Sequence, residues 1–282
     1  MIVKILAGVA TLIGVGVLVL QALRLYDVYR ERRVWSDLMD PVEVRPRKFD
    51  PRMVSVLPAP ARRYFLFAIA PGTRLSEAAE LEMTGELSVG SKEDPGYLPM
   101  KARQILAGVH GFVWRVQVGS RKMWFSGSDG YAESEAWTRF WLYDFLPIVR
   151  AGGGADYCRS AAGRSIAESL FWVPATLLPS KMVRWEPVSA DTARAEISHR
   201  SGKHTLELKV ASDGRPLAVS IMRWSRENAE RKWQLQPFGG TIEGIREQDG
   251  YRVASVVNGG NWFGTDRYFP FYRARLTSIR FL

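Results

Sequence analysis

Cysteine is nearly absent from this chain of 282 residues. Cys158 stands alone, which excludes an internal disulfide and leaves the redox compartment open. Histidine is almost as scarce, with only His110, His199 and His204. No G-x-S-x-G elbow, P-loop or true G-x-G-x-x-G occurs, so the signatures of serine hydrolases, P-loop nucleotide enzymes and dinucleotide binders are missing, and no motif implies a cofactor. The chain has no low-complexity segment and no repeat of solenoid period. Charge is missing altogether from residues 5–23.

That uncharged run is bracketed by Lys4 and Arg24 and is long enough to cross the ~30 Å hydrocarbon core of a bilayer. It exceeds the usual h-region of a signal peptide and no small-x-small cleavage site closes it, so it reads as an uncleaved anchor. Arg24, Arg30, Arg32 and Arg33 follow it, while only Lys4 and the amino terminus precede it. Counted literally, positive-inside places the rest of the chain in the cytoplasm; a short tail with one lysine equally fits a signal-anchor whose following domain is exported. The reading divides the chain into an anchor (1–25), a juxtamembrane helix with a linker carrying Pro41, Pro46 and Pro51 (26–60), and one β-rich domain (61–282).

The chain is 46% hydrophobic and 24% charged, a globular composition. Its formal net charge is +10, yet the arginines are scattered along strands and no nucleic-acid motif accompanies them. The expected partner is therefore anionic lipid or an acidic protein surface, not nucleic acid.

Residues 191–224 contain the clearest pattern. A two-residue turn at Asp213-Gly214 sets Val210 against Leu217, Leu208 against Val219 and Leu206 against Ile221. A second turn at Ser201-Gly202 sets Ile197 against Leu206 and Ala195 against Leu208. One face is then apolar and the other polar, at the cost of placing Glu196 opposite Glu207. Upstream, strands are expected at 81–89, 100–107, 112–118, 122–128 and 131–140, with Asp129-Gly130 as one of the turns. An apolar stretch at 142–149 ends in Gly152-Gly153-Gly154, and 157–178 reads as the domain's one long helix. Downstream, strands are expected at 232–235 and 241–246, a tight turn at Asp249-Gly250 pairs Glu247 with Arg252, and the chain ends in a paired strand, 268–282. A short amphipathic helix at 58–70 either caps one end of the sheet or lies at a lipid interface.

Chemistry-bearing residues are few. The Ser201-Gly202 turn would put His199 directly across from His204, a weak metal candidate that lacks a third ligand; a pair of rim histidines is the plainer explanation. Cys158 opens a helix, which would lower its pKa, but no catalytic context surrounds it. Glu168, four residues after Arg164 and beside Trp172, reads as an ion pair. Aromatics reach 12%, and if several face one concavity they would line an apolar cavity; Trp114, Trp124, Trp172, Trp224 and Phe238 are the candidates for that ligand-binding lining. Otherwise they simply fill the core.

The run Arg164-Ser165-x-x-Glu168-x-x-x-Trp172-x-Pro174, the Asp213-Gly214-Arg215 hairpin, Phe238-Gly239-Gly240, Gly250-Tyr251-Arg252 and a Gly-rich Trp262 together resemble a bacterial family of membrane-associated proteins known as a domain of unknown function. The resemblance covers the chain from about Tyr64 onward and implies no activity. More loosely, a curved antiparallel sheet with a helix against it is similar to the lipoprotein-carrier half-barrels (LolA/LolB-like), exported proteins that hold acyl chains. These resemblances imply an α+β fold, mainly β: a transmembrane helix followed by one large curved antiparallel sheet, a half-barrel, with a helix packed against it. They imply an extracytoplasmic domain at the inner membrane and a non-enzymatic module that binds lipid or another apolar ligand or handles lipoproteins, with membrane lipid as a partner. The alternatives are an accessory subunit of an inner-membrane complex or, resting on Glu168 and the histidine pair, an envelope enzyme.

Overall fold

The computed structural model of the protein describes residues 1–39 and 47–282, so the expected linker prolines 41 and 46 lie outside the described residues. The apolar run is part of one unbroken helix, α1 (Ile2–Met39). Pro51 opens a short 3-10 turn capped by the Asp50 carboxylate, and α2 (Ala59–Ala68) follows. Six strands come next: β1 (Ala79–Ser88), β2 (Tyr97–Ala107), β3 (Gly111–Gly119), β4 (Trp124–Ala132), β5 (Glu135–Leu142) and β6 (Leu146–Gly152). Helix α3 (Gly154–Trp172) separates them from β7 (Val183–Pro187), β8 (Thr192–His199), β9 (Gly202–Val210), β10 (Pro216–Ser225), β11 (Gln234–Gln248), β12 (Tyr251–Asn261) and β13 (Tyr272–Phe281).

All 13 strands form one antiparallel sheet in the order β6-β5-β4-β3-β2-β1-β13-β12-β11-β10-β9-β8-β7. Two meanders are thus joined where the last strand pairs with the first. β6 and β7, consecutive in the chain apart from α3, are the two opposite edges. A flat sheet would hold them roughly 58 Å apart at ~4.8 Å per strand, twice the ~28 Å length of a 19-residue helix. The sheet curls around α3, as sheets of more than ~10 strands often do. α3 touches β2, β3, β4 and β5 on one half and β9, β10 and β12 on the other, while α2 covers β7, β8, β9 and β12 beside it. Tyr131 of β4 meets His199 of β8 across the gap, ring centroids 6.2 Å apart, although eight strands lie between them in the sheet order.

Leu208, Val219 and Ile221 are buried, and Leu208 pairs with Val219 and Leu206 with Ile221 as expected. The turn itself differs: only Gly214 has positive φ, a three-residue loop replaces the two-residue one, and a bulge at Leu217 leaves Val210 opposite Pro216. The β8–β9 turn is Arg200-Ser201, not Ser201-Gly202. Ala195 therefore faces Leu206, and Ile197 faces His204. A two-residue slip keeps every side chain on its face, so hydrophobicity does not choose between the registers. Charge does: Arg194 now opposes Glu207 at 2.6 Å, and the Glu196–Glu207 clash is gone.

Asp129-Gly130 is not a turn but the middle of β4, and the reversal falls at Glu133 (φ 52°). The Trp137 ring lies where a Cβ on residue 130 would be, so this glycine serves a close approach within the sheet. Residues 234–248 form a single long strand where two were expected, and the helix expected at 157–178 is α3 followed by a 3-10 turn from Pro174 to Leu177. Asp249-Gly250 is as expected, with φ of 51° and 82° and Glu247 paired to Arg252.

The cytoplasm-or-envelope half of α1 is not a free tether. Its covered residues (Val17, Leu20 and Gln21, Arg24, Asp27, Glu31, Val34 and Trp35, Leu38) recur at helical spacing on one side. That stripe lies on the convex face of β2–β5, where Val34, Trp35 and Leu38 pack with Ile105, Val113 and Trp137. Asp27 is buried; it pairs with Arg150, sits 3.5 Å from Arg139 and accepts from Trp141 Nε1 at 3.2 Å. Glu31 pairs with Arg115, and Trp35 lies under the guanidinium groups of Arg103 and Arg115. Asp27→Asn should weaken this docking by about 2 kcal/mol, the worth of a charged hydrogen bond. Amide exchange across residues 24–39 should then quicken roughly thirtyfold, measured by exchange mass spectrometry on the full-length protein; unchanged protection would show that Asp27 does not hold the helix.

Candidate functional site

Many of the chain's buried polar groups lie in the concave interior. The face of α3 turned to the sheet is built of small residues (Ser160, Ala162, Gly163, Ser165, Ala167, Ser169) with Ile166, Leu170 and Trp172 among them. Small side chains let the helix lie close, and the hydroxyls need partners. Ser165 Oγ donates to the Gly108 carbonyl at 2.5 Å and Ser169 Oγ to the Ser165 carbonyl at 2.6 Å. Trp172 Nε1 donates to the Ala254 carbonyl at 3.1 Å, and Tyr64 of α2 donates its hydroxyl to the Leu170 carbonyl at 2.5 Å.

At the middle of α3 sits a charge network. Arg164 donates to Glu168 at 2.6 Å and to Asp129 at 3.0 Å, and Gln104 Nε2 donates to Glu168 at 2.6 Å. Burial alone would lower the Arg164 pKa, but the two carboxylates outweigh it and push it up. The guanidinium also lies 4.6 Å from the Phe112 ring centroid and 5.2 Å from that of Trp114. Among the described residues Arg223 of β10 has no carboxylate partner; it donates to the Ser160 carbonyl at 3.1 Å and stacks 4.8 Å over Phe238. Burial and then repulsion from Arg164 pull its pKa down to about 10, still charged at neutral pH. Gln104, Trp114 and Asp129 are register neighbours on β2, β3 and β4, and each keeps one buried polar atom without a protein partner.

The histidines form a chain of hydrogen bonds at one end of the interior. Ser201 Oγ lies 2.7 Å from His199 Nδ1 and 2.9 Å from His204 Nε2, and Tyr131 OH is 3.5 Å from His199 Nε2. They are not directly across from each other, because His199 pairs with Gly202. Among the described residues no cluster of three or more His, Cys, Asp or Glu could hold a metal ion. Burial lowers the pKa of both, His204 to about 4. Cys158 lies in the first turns of α3 as expected, but burial raises its thiol pKa, against the expected lowering, and its sulfur donates to the Ser134 carbonyl at 3.1 Å.

The five aromatic candidates fall in different places. Trp114, Trp172 and Phe238 face the interior around α3. Trp124 is on the convex side, edge-on to Tyr143 at 5.9 Å, and Trp224 stands at the margin, donating to Asp156 at 2.7 Å beneath Arg159. α3 itself occupies the concavity between them. A polar cleft of about 500 Å³ opens beside it, lined by Trp137, Arg139, Arg150, Tyr157 and Arg226 where Gly152-Gly153 hands β6 on to α3. The features that sequence reasoning missed are Arg223, Gln104 and Asp129; each is an ordinary strand residue until α3 is laid over it.

His204 predicts a pH dependence. Its folded pKa of about 4 lies below the ordinary 6.5, so the unfolded chain takes up the proton first as pH falls. Stability is full above pH 6.5 and declines as pH drops toward 4, by about 2 kcal/mol at pH 5. Thermal melts of the wild type and His204→Gln from pH 7.5 to 5 should show the wild type losing stability more steeply; parallel slopes would remove His204 as the cause.

Among solved structures the chain is similar to a LolA superfamily protein from Nitrosomonas europaea, at 10% identity and TM-score 0.41, over 79% of this chain and 92% of that one. It is also similar to a domain described as an outer membrane lipoprotein-sorting protein from Vibrio parahaemolyticus (12% identity, TM-score 0.34, 72% and 85% covered). A third is a DUF1329 family protein from Desulfovibrio piger (10% identity, TM-score 0.37, 73% and 86% covered). No curated protein matches the chain. Residues 47–274, which span α2, all of α3 and almost the whole sheet, match the family of unknown function DUF6544, and the chain belongs to that family.

Proposed function

We propose that this protein is a single-pass, membrane-anchored, non-enzymatic module whose half-barrel receives an apolar ligand, the acyl chain of a membrane lipid, when α3 withdraws from the concave face. The observation that carries this reading is the mismatch between plug and socket. The inner face of the sheet presents large apolar side chains such as Met83, Phe112, Trp114, Leu206, Leu208 and Ile221, whereas α3 meets them largely with serine, alanine and glycine. Ile166, Leu170 and Trp172 add apolar contact, and directional polar bonds, which can break and re-form, supply much of the remaining hold. Gly152 and Gly153 precede it and Gly154 opens it, all at positive φ, and a side chain at 153 or 154 would meet nothing within 4 Å, a suitable hinge.

The helix Ile2–Met39 has a mean hydropathy of 2.4 over its best window, with none of that window buried, which supports the anchor. The domain then lies on the extracytoplasmic side. Arg24 and Arg30, half of the four arginines that favour the opposite orientation, are matched in the folded protein by Asp144 and Glu135. A carboxyl-terminal alkaline phosphatase fusion should therefore be active in cells, and an inactive, cytoplasmic fusion would reverse the orientation.

Native mass spectrometry of the full-length protein released from detergent should retain a lipid mass; a protein that is empty after extraction from lipid-rich membranes overturns the carrier reading. Ser165→Ala leaves the Gly108 carbonyl without its donor in the closed form only. Opening should become easier by about 1 kcal/mol, and the apparent affinity for a fluorescent fatty acid should rise roughly fivefold.

A further inference from the structure

We propose that the rim formed by two adjacent turns, residues 119–124 and 142–146, together with the start of β6, is a bilayer-docking surface that sits in the headgroup layer around α1, with anionic lipid as its partner. This rests on the reading of α1 as a membrane anchor and adds to it a second, separate membrane contact.

The position of the rim follows from the continuity of α1. Arg24 is the first charge after the apolar run, so it marks the edge of the hydrocarbon, and it pairs with Asp144 in the second turn at 2.6 Å. The covered stripe of α1 begins earlier still, at Val17 and Leu20. Seven residues of helix from Val17 to Arg24 rise about 10 Å, so the domain reaches that far alongside the end of the span, the depth at which interfacial segments lie.

The rim is also made for that depth. Met123, Tyr143, Phe145, Leu146 and Ile148 are between 41% and 53% exposed, five large apolar side chains left half open to the surroundings. Arg121 and Lys122 flank them, also exposed. The two turns are tied into one unit: Tyr143 donates its hydroxyl to the Lys122 carbonyl at 2.9 Å and its amide to the Trp124 carbonyl at 3.2 Å. Tyr143 and Asp144 both have positive φ, 50° and 57°, a backbone that costs non-glycine residues energy and that aims Tyr143 and Phe145 outward. Trp124, edge-on to Tyr143, completes an aromatic pair of the kind concentrated at membrane interfaces. Apolar tips, aromatic shoulders and flanking cations fit a phosphate-bearing lipid layer. Tyr131 lies at the end of β4 away from the 119–124 turn, so the histidine chain that meets it is turned away from the membrane.

The test uses the full-length chain with Cys158→Ser, carrying one bimane label at Met123→Cys, Leu146→Cys or, as a control, Asp213→Cys, in vesicles of three parts phosphatidylcholine to one part phosphatidylglycerol. Vesicle flotation reads the anchor, and quenching by lipids brominated near the headgroup reads the rim. The expected result is flotation of all three, with strong bromolipid quenching at 123 and 146 and none at 213. Replacing Arg121 and Lys122 by glutamine should reduce rim quenching in the anionic vesicles and leave flotation intact. Protein that floats while the labels at 123 and 146 are quenched only by aqueous iodide overturns the rim and spares the anchor. Protein that fails to float overturns both.

Discussion

The chain must travel from one edge of a 13-strand sheet to the other between Gly152 and Val183, and it does so through a 19-residue helix, a 3-10 turn and a short loop. That connection constrains everything around it. The sheet wraps around that helix, which touches strands of both arms, and its inner face becomes a concavity. The helix fills it. Tyr131 and His199 then meet, as do Asp129 and Arg164, and Ser160 and Arg223, pairs that belong to opposite arms of the sheet or to sheet and helix.

The two faces of the sheet are closed by different means. On the concave side, small and hydroxylated α3 residues lie close to the strands and the interface is pinned by directional bonds. On the convex side, α1 docks through Asp27 and Glu31, two buried carboxylates surrounded by arginines of β3, β5 and β6. Buried pairs of this sort contribute less to stability than to geometry, because desolvation offsets most of the Coulomb gain. Their effect here is to fix the direction in which α1 leaves the domain.

Much of the fold was legible because strand periodicity is indifferent to distant contacts. The apolar parity of residues 193–221 survived even where the pairing was two residues out, since a slip of two keeps each side chain on its face. Asp249-Gly250 was legible because both φ values are positive and few residues tolerate that. Asp129-Gly130 was misread for a tertiary reason: the glycine admits the Trp137 ring from the next strand, a demand indistinguishable from a turn when only local sequence is considered. Of the aromatic cluster, Trp114, Trp172 and Phe238 converge, whereas Trp124 lies on the far side of the sheet, because the register of the β3–β4 hairpin places it out of phase with Trp114.

By itself the sequence determined the apolar span, the alternation of the strands, the positions of the glycine hinge and the best hairpins, and the Arg164–Glu168 pair, all properties that depend on neighbours within a few residues. Tertiary structure alone decided that α3 occupies the concavity, that Arg223 and Asp129 join its charge network, and that α1 is fastened along the convex face. The physical reason is the same in each case. Side chains separated by 35 to 123 residues acquire meaning only once the sheet curls and brings them within a few ångströms.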